Sequence, residues 1–440
     1  MARSLQKHAV VIGGSIAGLL AARVLSAAFE QVTIVERDEL PAIAAERKGV
    51  PQSPQPHILL TKGYRILKEL FPGIEHELLA DGAIPVDWGT DFHYFAFGGW
   101  LAAAPEESEL TSVSCTRPLL EAAVRRRVQG ISNVQMLSPY RVRSLTGDAH
   151  AVTGVSMAHT HDRQTEKALT ADLVVDASGR STNASDWLAA IGQQPPAIDT
   201  VNAGLGYATR RYQLPPDWSA DWKVMLIGHE PPDNSRLGYL AQVENNELIA
   251  TLGGYENQYP PLEEDAFLAF AQQLSDPSFY KAIASLTPTT PIKAYRSTAN
   301  KRRRYDQLEH MPTGFIAIGD AVCALCPAYG QGLTTSGQSA VVLQNWLSQN
   351  ELTHTLTFQK KLEKAIKPSY DVAAGSDSGF VSTKGRIPKG RVAKVMNSYM
   401  RRLFTIAHTD GDLNLSLIKI AHMIDSPIKL FHPKILLKMI

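Results

Sequence analysis

The residues of this 440-residue chain best placed to do chemistry are two glycine-bearing turns. The first is Gly13-Gly14-Ser15-Ile16-Ala17-Gly18, directly after the apolar run His8–Ile12. A strand that ends in such a turn and feeds a helix offers free backbone N–H groups and a positive dipole end to an anion. Gly13 permits the sharp turn, and Gly18 lets the helix lie close against the sheet. Ser15 stands where a middle glycine is usual and is small enough for close approach. Glu36 closes the next apolar strand, Gln31–Val35, 23 residues after Gly13. A carboxylate there accepts hydrogen bonds from ribose hydroxyls and repels a 2′-phosphate. The chemistry predicted is dinucleotide binding, of FAD or NAD and not of NADP.

The second turn follows another apolar run, Phe315–Ile318, with Gly319-Asp320 and then Pro327-Ala328-Tyr329-Gly330-Gln331-Gly332. Asp320 at a strand end can accept from a ribityl hydroxyl. A helix starting near Gly332 can aim its N-terminus at the N1/O2 side of a flavin ring and stabilise the reduced form.

The elements that must position these turns are legible nearby. His8–Ile12, a helix over Leu19–Ala28 and Gln31–Val35 read as one βαβ unit. Asp172–Ala177 and Phe315–Ile318 read as further buried strands, and Tyr64–Leu70, Pro118–Val128 and Gly332–Leu347 as helices. In the middle, Val201–Tyr212, Lys223–Gly228, Leu237–Glu244 and Glu247–Gly253 alternate as strands, with Asn245-Asn246 suited to a tight hairpin turn. Adjacent strands with short turns predict an antiparallel insertion into an α/β, nucleotide-binding layer.

Composition sets the bounds. At 44% hydrophobic and 20% charged, fibrous and disordered classes are excluded. A net charge of +1 argues against a nucleic-acid partner. Cys115, Cys323 and Cys326 are too few for a disulfide framework and suit a reducing compartment. The expected location is cytoplasmic, with no signal peptide: Ala9–Ile12 stops at Gly13-Gly14. Residues 361–440 hold 14 Lys and Arg against 6 Asp and Glu. Within them Leu413, Leu417, Ile420, Ala421 and Ile424 recur at helical spacing ahead of Lys429, Lys434 and Lys438. That pattern fits peripheral contact with an anionic membrane, or a helix capping the body.

From about residue 8 to about 350 the chain resembles the FAD-dependent monooxygenases of the para-hydroxybenzoate hydroxylase type. The resemblance rests on Gly13–Gly18, Glu36-Arg37, Asp172–Arg180, Gly319-Asp320 and Pro327–Gly332. Within that family, Arg47–Gln52, His57–Leu60 and Phe71–Gly73 look most like bacterial polyether olefin epoxidases. The resemblance implies a Rossmann-like FAD-binding domain of the glutathione-reductase βαβ type over 1–85, 115–199 and 293–360. The inserted antiparallel substrate domain would be 86–114 and 200–292, with a C-terminal helical region over 361–440. It implies non-covalent FAD near Gly13, Ser15, Gly18, Glu36, Arg37, Arg47, Arg117, Gly179, Gly319, Asp320, Gly330 and Gly332. NAD(P)H would be a transient electron donor, since one dinucleotide turn is present, and dioxygen the co-substrate. Many hydroxylases carry Asp-Gly where Ser178-Gly179 stand here.

The implied reaction, through a flavin C4a-hydroperoxide, leaves the hard step to the cofactor. It epoxidises or hydroxylates a lipophilic alkene or aromatic, in the setting of secondary metabolism. Accordingly no Ser-His-Asp set and no metal-ligand cluster is found in the sequence. His57, Tyr207 and Tyr239 are the candidates for a base in phenol hydroxylation, each with packing as the alternative. Leu205, Tyr207, Met225, Ile227, Tyr239 and Leu252 are expected to line the substrate roof. Cys323-Ala-Leu-Cys326 reads as packing ahead of a redox dithiol, and Lys301–Arg304 as a solvated edge ahead of a phosphate or nicotinamide contact. The rivals on the same fold are a reductase or dehydrogenase of a prenyl-like substrate and a non-catalytic flavin-binding module. The Trp-x-Trp motif of halogenases on this fold does not occur.

Overall fold

The computed structural model describes residues 6–162, 165–349, 352–385, 387 and 390–438. The short β-branched runs predicted as buried strands do pair as one parallel sheet. Its order is Phe315–Ala317, Leu173–Asp176, Gln6–Ile12, Phe29–Val35 and Val134–Leu137. Val10, Val11, Ile34, Val174, Val175 and Ile316 are fully buried, as expected of strands covered on both faces. The helices Ile16–Leu25 and Gly332–Ser348 pack against each other, so both glycine turns open at the same edge of this sheet.

The insertion is an eight-stranded sheet. Its central hairpin, Arg236–Val243 with Glu247–Gly254, is closed by Asn245 and Asn246 at φ of 64° and 54°, the left-handed pair that such a turn needs. The stretch expected as one strand over Val201–Tyr212 is two. Ile198–Val201 pairs with Asn300–Arg303, whereas Gly206–Gln213 joins the eight-stranded sheet. Gly204, at φ 64°, breaks the run and lets the chain change sheets.

The C-terminal region packs inward. Phe358, Leu362 and Ile366 of the helix Thr355–Asp377 enter the core that surrounds the parallel sheet. In Gly411–Ala421, Leu413 and Leu417 pack with Leu101, Leu403 and Ala407. Ile418 packs with Val86 and Trp88 on the other flank. Of the apolar stripe read from the sequence, Leu413 and Leu417 are buried, Ile420 and Ile424 half-buried, and Ala421 exposed. Among the described residues, large apolar side chains are exposed beyond it at Ile428, Phe431, Leu436 and Leu437, and before it at Val372, Val381 and Val395. Among the described residues no helix is long and apolar enough to cross a membrane.

Leu413 is 1% exposed, so Leu413→Ala should cost about 2–4 kcal/mol through the cavity it leaves. Chemical denaturation checks this; an unchanged midpoint would show that the helix does not pack as described.

Candidate functional site

Gly13 sits at φ 104°, and a Cβ there would lie 2.6 Å from the Ala177 carbonyl oxygen. A Cβ on Gly18 would lie 1.9 Å from the Gly13 carbonyl oxygen. Both glycines are thus required by close backbone approach, as the spacing predicted. Ser15 occupies the N-cap position of the first helix yet makes no side-chain cap, and the first turn carries no acid. Its Oγ instead donates to Glu121 Oε2 at 2.7 Å and accepts from Arg117 Nη2 at 2.8 Å. Glu36 is 5% exposed. Its Oε2 accepts from the Gly14 N–H at 2.7 Å and its Oε1 from the Asp38 N–H at 2.9 Å.

Arg47 reaches this turn from a loop. It lies 3.2 Å from Glu36, 3.2 Å from Asp38 and 2.6 Å from Glu121. Burial alone would lower its pKa, but Glu121 and Glu36 outweigh it and hold the guanidinium firmly charged. Burial likewise opposes ionisation of Glu121, and the Arg117 and Arg47 charges reverse that, leaving its carboxyl below the usual range. Arg117 pairs with Glu121 at 3.0 Å, while its Nη1 is buried without a partner. Glu121 is a site residue that the sequence reading missed. Its signal was the i, i+4 spacing from Arg117 on one helix.

At the second turn, Asp176 is fully buried and accepts from Ser178 and Thr182 hydroxyls at 2.6 Å each, which shapes the loop to Arg180. Arg180 ties this loop to the Leu325 carbonyl at 2.7 Å and to the Ala299 carbonyl. Asp320 accepts no hydrogen bond from any described residue. Burial raises its carboxyl pKa against the pull of Arg180 and Arg117. The helix Gly332–Ser348 begins with no side-chain cap and no acid in its first turn.

One cavity of about 1210 Å³ joins these parts. Gly13, Ser15, Glu36, Arg37, Arg47, Arg117, Gly179, Asp320, Gly330 and Gly332 all line it. Gly18 and Gly319 stand behind the wall: a Cβ on Gly319 would lie 2.8 Å from Ala17 Cβ, so its role is packing of turn on helix. A Cβ on Gly179 or Gly332 would meet no protein atom within 4 Å. The orphaned Arg117 Nη1, the bare helix starts and this cradle of hydrogen-only residues fit an extended anionic dinucleotide with a flat ring system.

The cavity continues into an apolar half walled by Tyr94, Phe97, Leu226, Leu237, Met400 and Phe404. The expected roof is right for Tyr207 and Tyr239. Leu205, Met225, Ile227 and Leu252 do not line the cavity. Met225, Ile227 and Leu252 point to the opposite face of their sheet, into the core with Phe267 and Phe279. Strand parity puts Leu226 and Thr251 in the cavity instead.

His57, Tyr207 and Tyr239 line the same cavity. His57 Nδ1 lies 2.9 Å from the Gln55 carbonyl, which can only accept, so Nδ1 carries the proton. Burial, aided by the Arg117 guanidinium, pushes His57 down to about 3. Burial raises both tyrosines above their ordinary value. His229, unremarked in the sequence, also lines the cavity, packed on the Tyr255 ring at 4.5 Å, and burial pushes it down to about 4.

Two other motifs resolve. Cys323 and Cys326 are unbridged and buried, and burial raises both thiols, so they pack as thiols. Arg302–Arg304 are not a solvated edge. Arg302 pairs with Asp199 and Glu363, Arg303 donates to the Ala321 and Arg180 carbonyls, and Arg304 pairs with Asp306. Their strand runs between the body and the helix Thr355–Asp377, whose carboxylate at Glu363 neutralises it.

The chain is 37% identical over 387 residues to the protein Rv3254 of Mycobacterium tuberculosis, covering 85% of this chain and 80% of that one. Its fold is that of a flavoprotein/dehydrogenase from Cytophaga hutchinsonii (TM-score 0.69, 13% identity, 98% and 96% of the two chains). It is also that of the myxobacterial chondrochloren halogenase CndH (TM-score 0.65, 13% identity, 96% and 98%). PqsL of Pseudomonas aeruginosa, described as a probable FAD-dependent monooxygenase, matches at TM-score 0.59 and 17% identity over 94% and 100% of the chains. At those identities the likeness is one of fold. The FAD binding domain family, however, matches residues 6–352, the stretch that carries both glycine turns and the whole cradle between them. The chain thus belongs to that family and is an FAD-dependent oxidoreductase of the para-hydroxybenzoate hydroxylase type, as the resemblance of its motifs implied.

Proposed function

We propose that this flavoenzyme is a monooxygenase that takes electrons from NAD(P)H and places one oxygen atom of dioxygen on a neutral, lipophilic small molecule. The observation that carries this reading is the continuity of the dinucleotide cradle with an apolar cavity half in a single space. FAD, when bound, supplies dioxygen activation. The chain's own residues would do the rest. The starts of the helices Ile16–Leu25 and Gly332–Ser348, with Arg117, would hold the pyrophosphate and ring, and Glu36 and Asp320 the ribose and ribityl hydroxyls. Tyr94, Phe97, Leu237, Met400 and Phe404 would seat the substrate and exclude water.

Epoxidation is the first reading and hydroxylation the second. With His57 and His229 too weakly basic and Tyr207 and Tyr239 raised, none of these four side chains is poised to take a phenol proton at neutral pH. Alkene epoxidation needs no such base.

The exposed tip around Ile428 (72%) and Leu437 (70%), beside Lys434, would rest on an anionic lipid surface. Replacing Ile428 and Leu437 by Asp should abolish co-sedimentation with phosphatidylserine vesicles. Equal binding by the variant and the parent would remove the membrane from this reading.

Asp320→Ala should leave the fold intact and weaken FAD binding about tenfold or more, since it deletes an acceptor that has no other partner. Titration of apoprotein with FAD measures this. Labelled dioxygen should yield a product two mass units heavier than unlabelled dioxygen does. Label from water, or a product changed only by two hydrogens, would move the chain to hydrolase or prenyl-reductase chemistry. A loss on the order of 10²-fold in turnover from His57→Ala, Tyr207→Phe or Tyr239→Phe, with FAD retained, would favour base-assisted hydroxylation.

A further inference from the structure

The Pro327–Gly332 turn is braced from behind by the C-terminal region. Asp377, the last residue of the helix Thr355–Asp377, is 1% exposed. Its Oδ1 accepts from Tyr329 Oη at 2.7 Å and its Oδ2 from Asn300 Nδ2 at 2.7 Å. Asn300 Oδ1 in turn accepts from the Cys326 N–H at 2.7 Å. Two consecutive features of the turn, its start and its tyrosine, are therefore pinned to one carboxylate. Tyr329 lines the cavity, as do Gly330 and Asp320.

Among the described residues no lysine or arginine pairs with Asp377. A buried carboxylate held only by neutral donors pays desolvation with no Coulombic return. Packing alone would be served by a neutral residue, so the charge itself calls for a role.

We propose that Asp377 is a positioning residue of the flavin site, acting through Tyr329 to hold the Pro327–Gly332 turn in the form that takes the flavin ring and ribityl chain. This rests on the FAD reading of that turn. Ionised, Asp377 accepts from both neighbours. Protonated, Asp377 keeps the Asn300 bond through its carbonyl oxygen, but its own O–H must donate to Tyr329 Oη, so the Tyr329 bond is reversed and both contacts lose their charge assistance. Burial pushes Asp377 up to about 6. The groups that face it keep their charge state around that value. Cys326, Tyr255, Tyr329 and Tyr207 are raised as neutral groups, and His229 is neutral above about 4. Arg180, the guanidinium nearest Cys326, is spent on the Leu325 and Ala299 carbonyls. The turn should therefore be well held above about pH 6 and loosened as pH falls through it.

The experiment titrates apoprotein with FAD between pH 5 and 8, following the quenching of flavin fluorescence. Wild type should bind about tenfold more tightly at pH 8 than at pH 5, roughly the difference between a hydrogen bond to a charged group and a neutral one. Asp377→Asn should hold the low-pH affinity at every pH, and Tyr329→Phe should lose about as much. The double variant should be no worse than either single one, because both act through one bond. An Asp377→Asn protein that keeps wild-type affinity and its pH step overturns the proposal. Should that variant not fold, Tyr329→Phe decides alone: unchanged affinity with the pH step intact overturns it equally. Failure of wild type to bind FAD at all would instead strike the reading of the turn, and shows in the wild-type arm.

Discussion

The site depends on where one hydroxyl points. A serine at an N-cap normally turns its oxygen back onto the N–H groups of the first turn. Ser15 does not: its hydroxyl is turned to Glu121, which accepts its proton, and to Arg117, which donates to one of its lone pairs. The first turn of the helix Ile16–Leu25 is thereby left without a side-chain cap, and its N–H groups stay available to a pyrophosphate. Glu121 can do this only as a buried anion, and it remains one because Arg47, Arg117 and Arg125 converge on it. Deleting a partner from such a cluster costs about 3–5 kcal/mol, so the loop bearing Arg47, the helix bearing Glu121 and the glycine turn stand or fall together.

Local chemistry was legible in the sequence, and the reason is that it is local. The βαβ unit, the Asn245-Asn246 hairpin and the Gly319-Asp320 strand end are each fixed by neighbours within a few residues. What stayed hidden needs partners far along the chain. Glu121 meets Arg47 across 74 residues, and Asn300 meets Asp377 across 77. Arg302 and Arg303 look like solvated charge until Asp199, Glu363 and the Ala321 carbonyl are brought beside them. The roof failed differently. Which strands form it was readable, but their parity was not. Both faces of those strands are apolar: one meets the core around Phe267 and Phe279, the other the cavity.

The division of charge along the cavity follows from these contacts. At the dinucleotide end, Arg47 and Glu121 are tied into a network that keeps them ionised despite burial. Toward the far end burial prevails, and it drives His57, His229, Tyr207 and Tyr239 to their neutral forms, at His57 against the Gln55 carbonyl and Glu121. Arg401, at the rim, is already paired with Asp233 at 2.9 Å and stacked on the Phe97 ring. Among the described residues of that wall, no free counter-charge is left for a carboxylate or ammonium substrate, which would bear the cost of leaving water. A neutral molecule bears no such cost, and the hydroxyls of Tyr207 and Tyr239 would still orient any keto or hydroxyl group it carries. On the proposed reading, the same burial that holds these titratable side chains neutral would favour a neutral, lipophilic substrate.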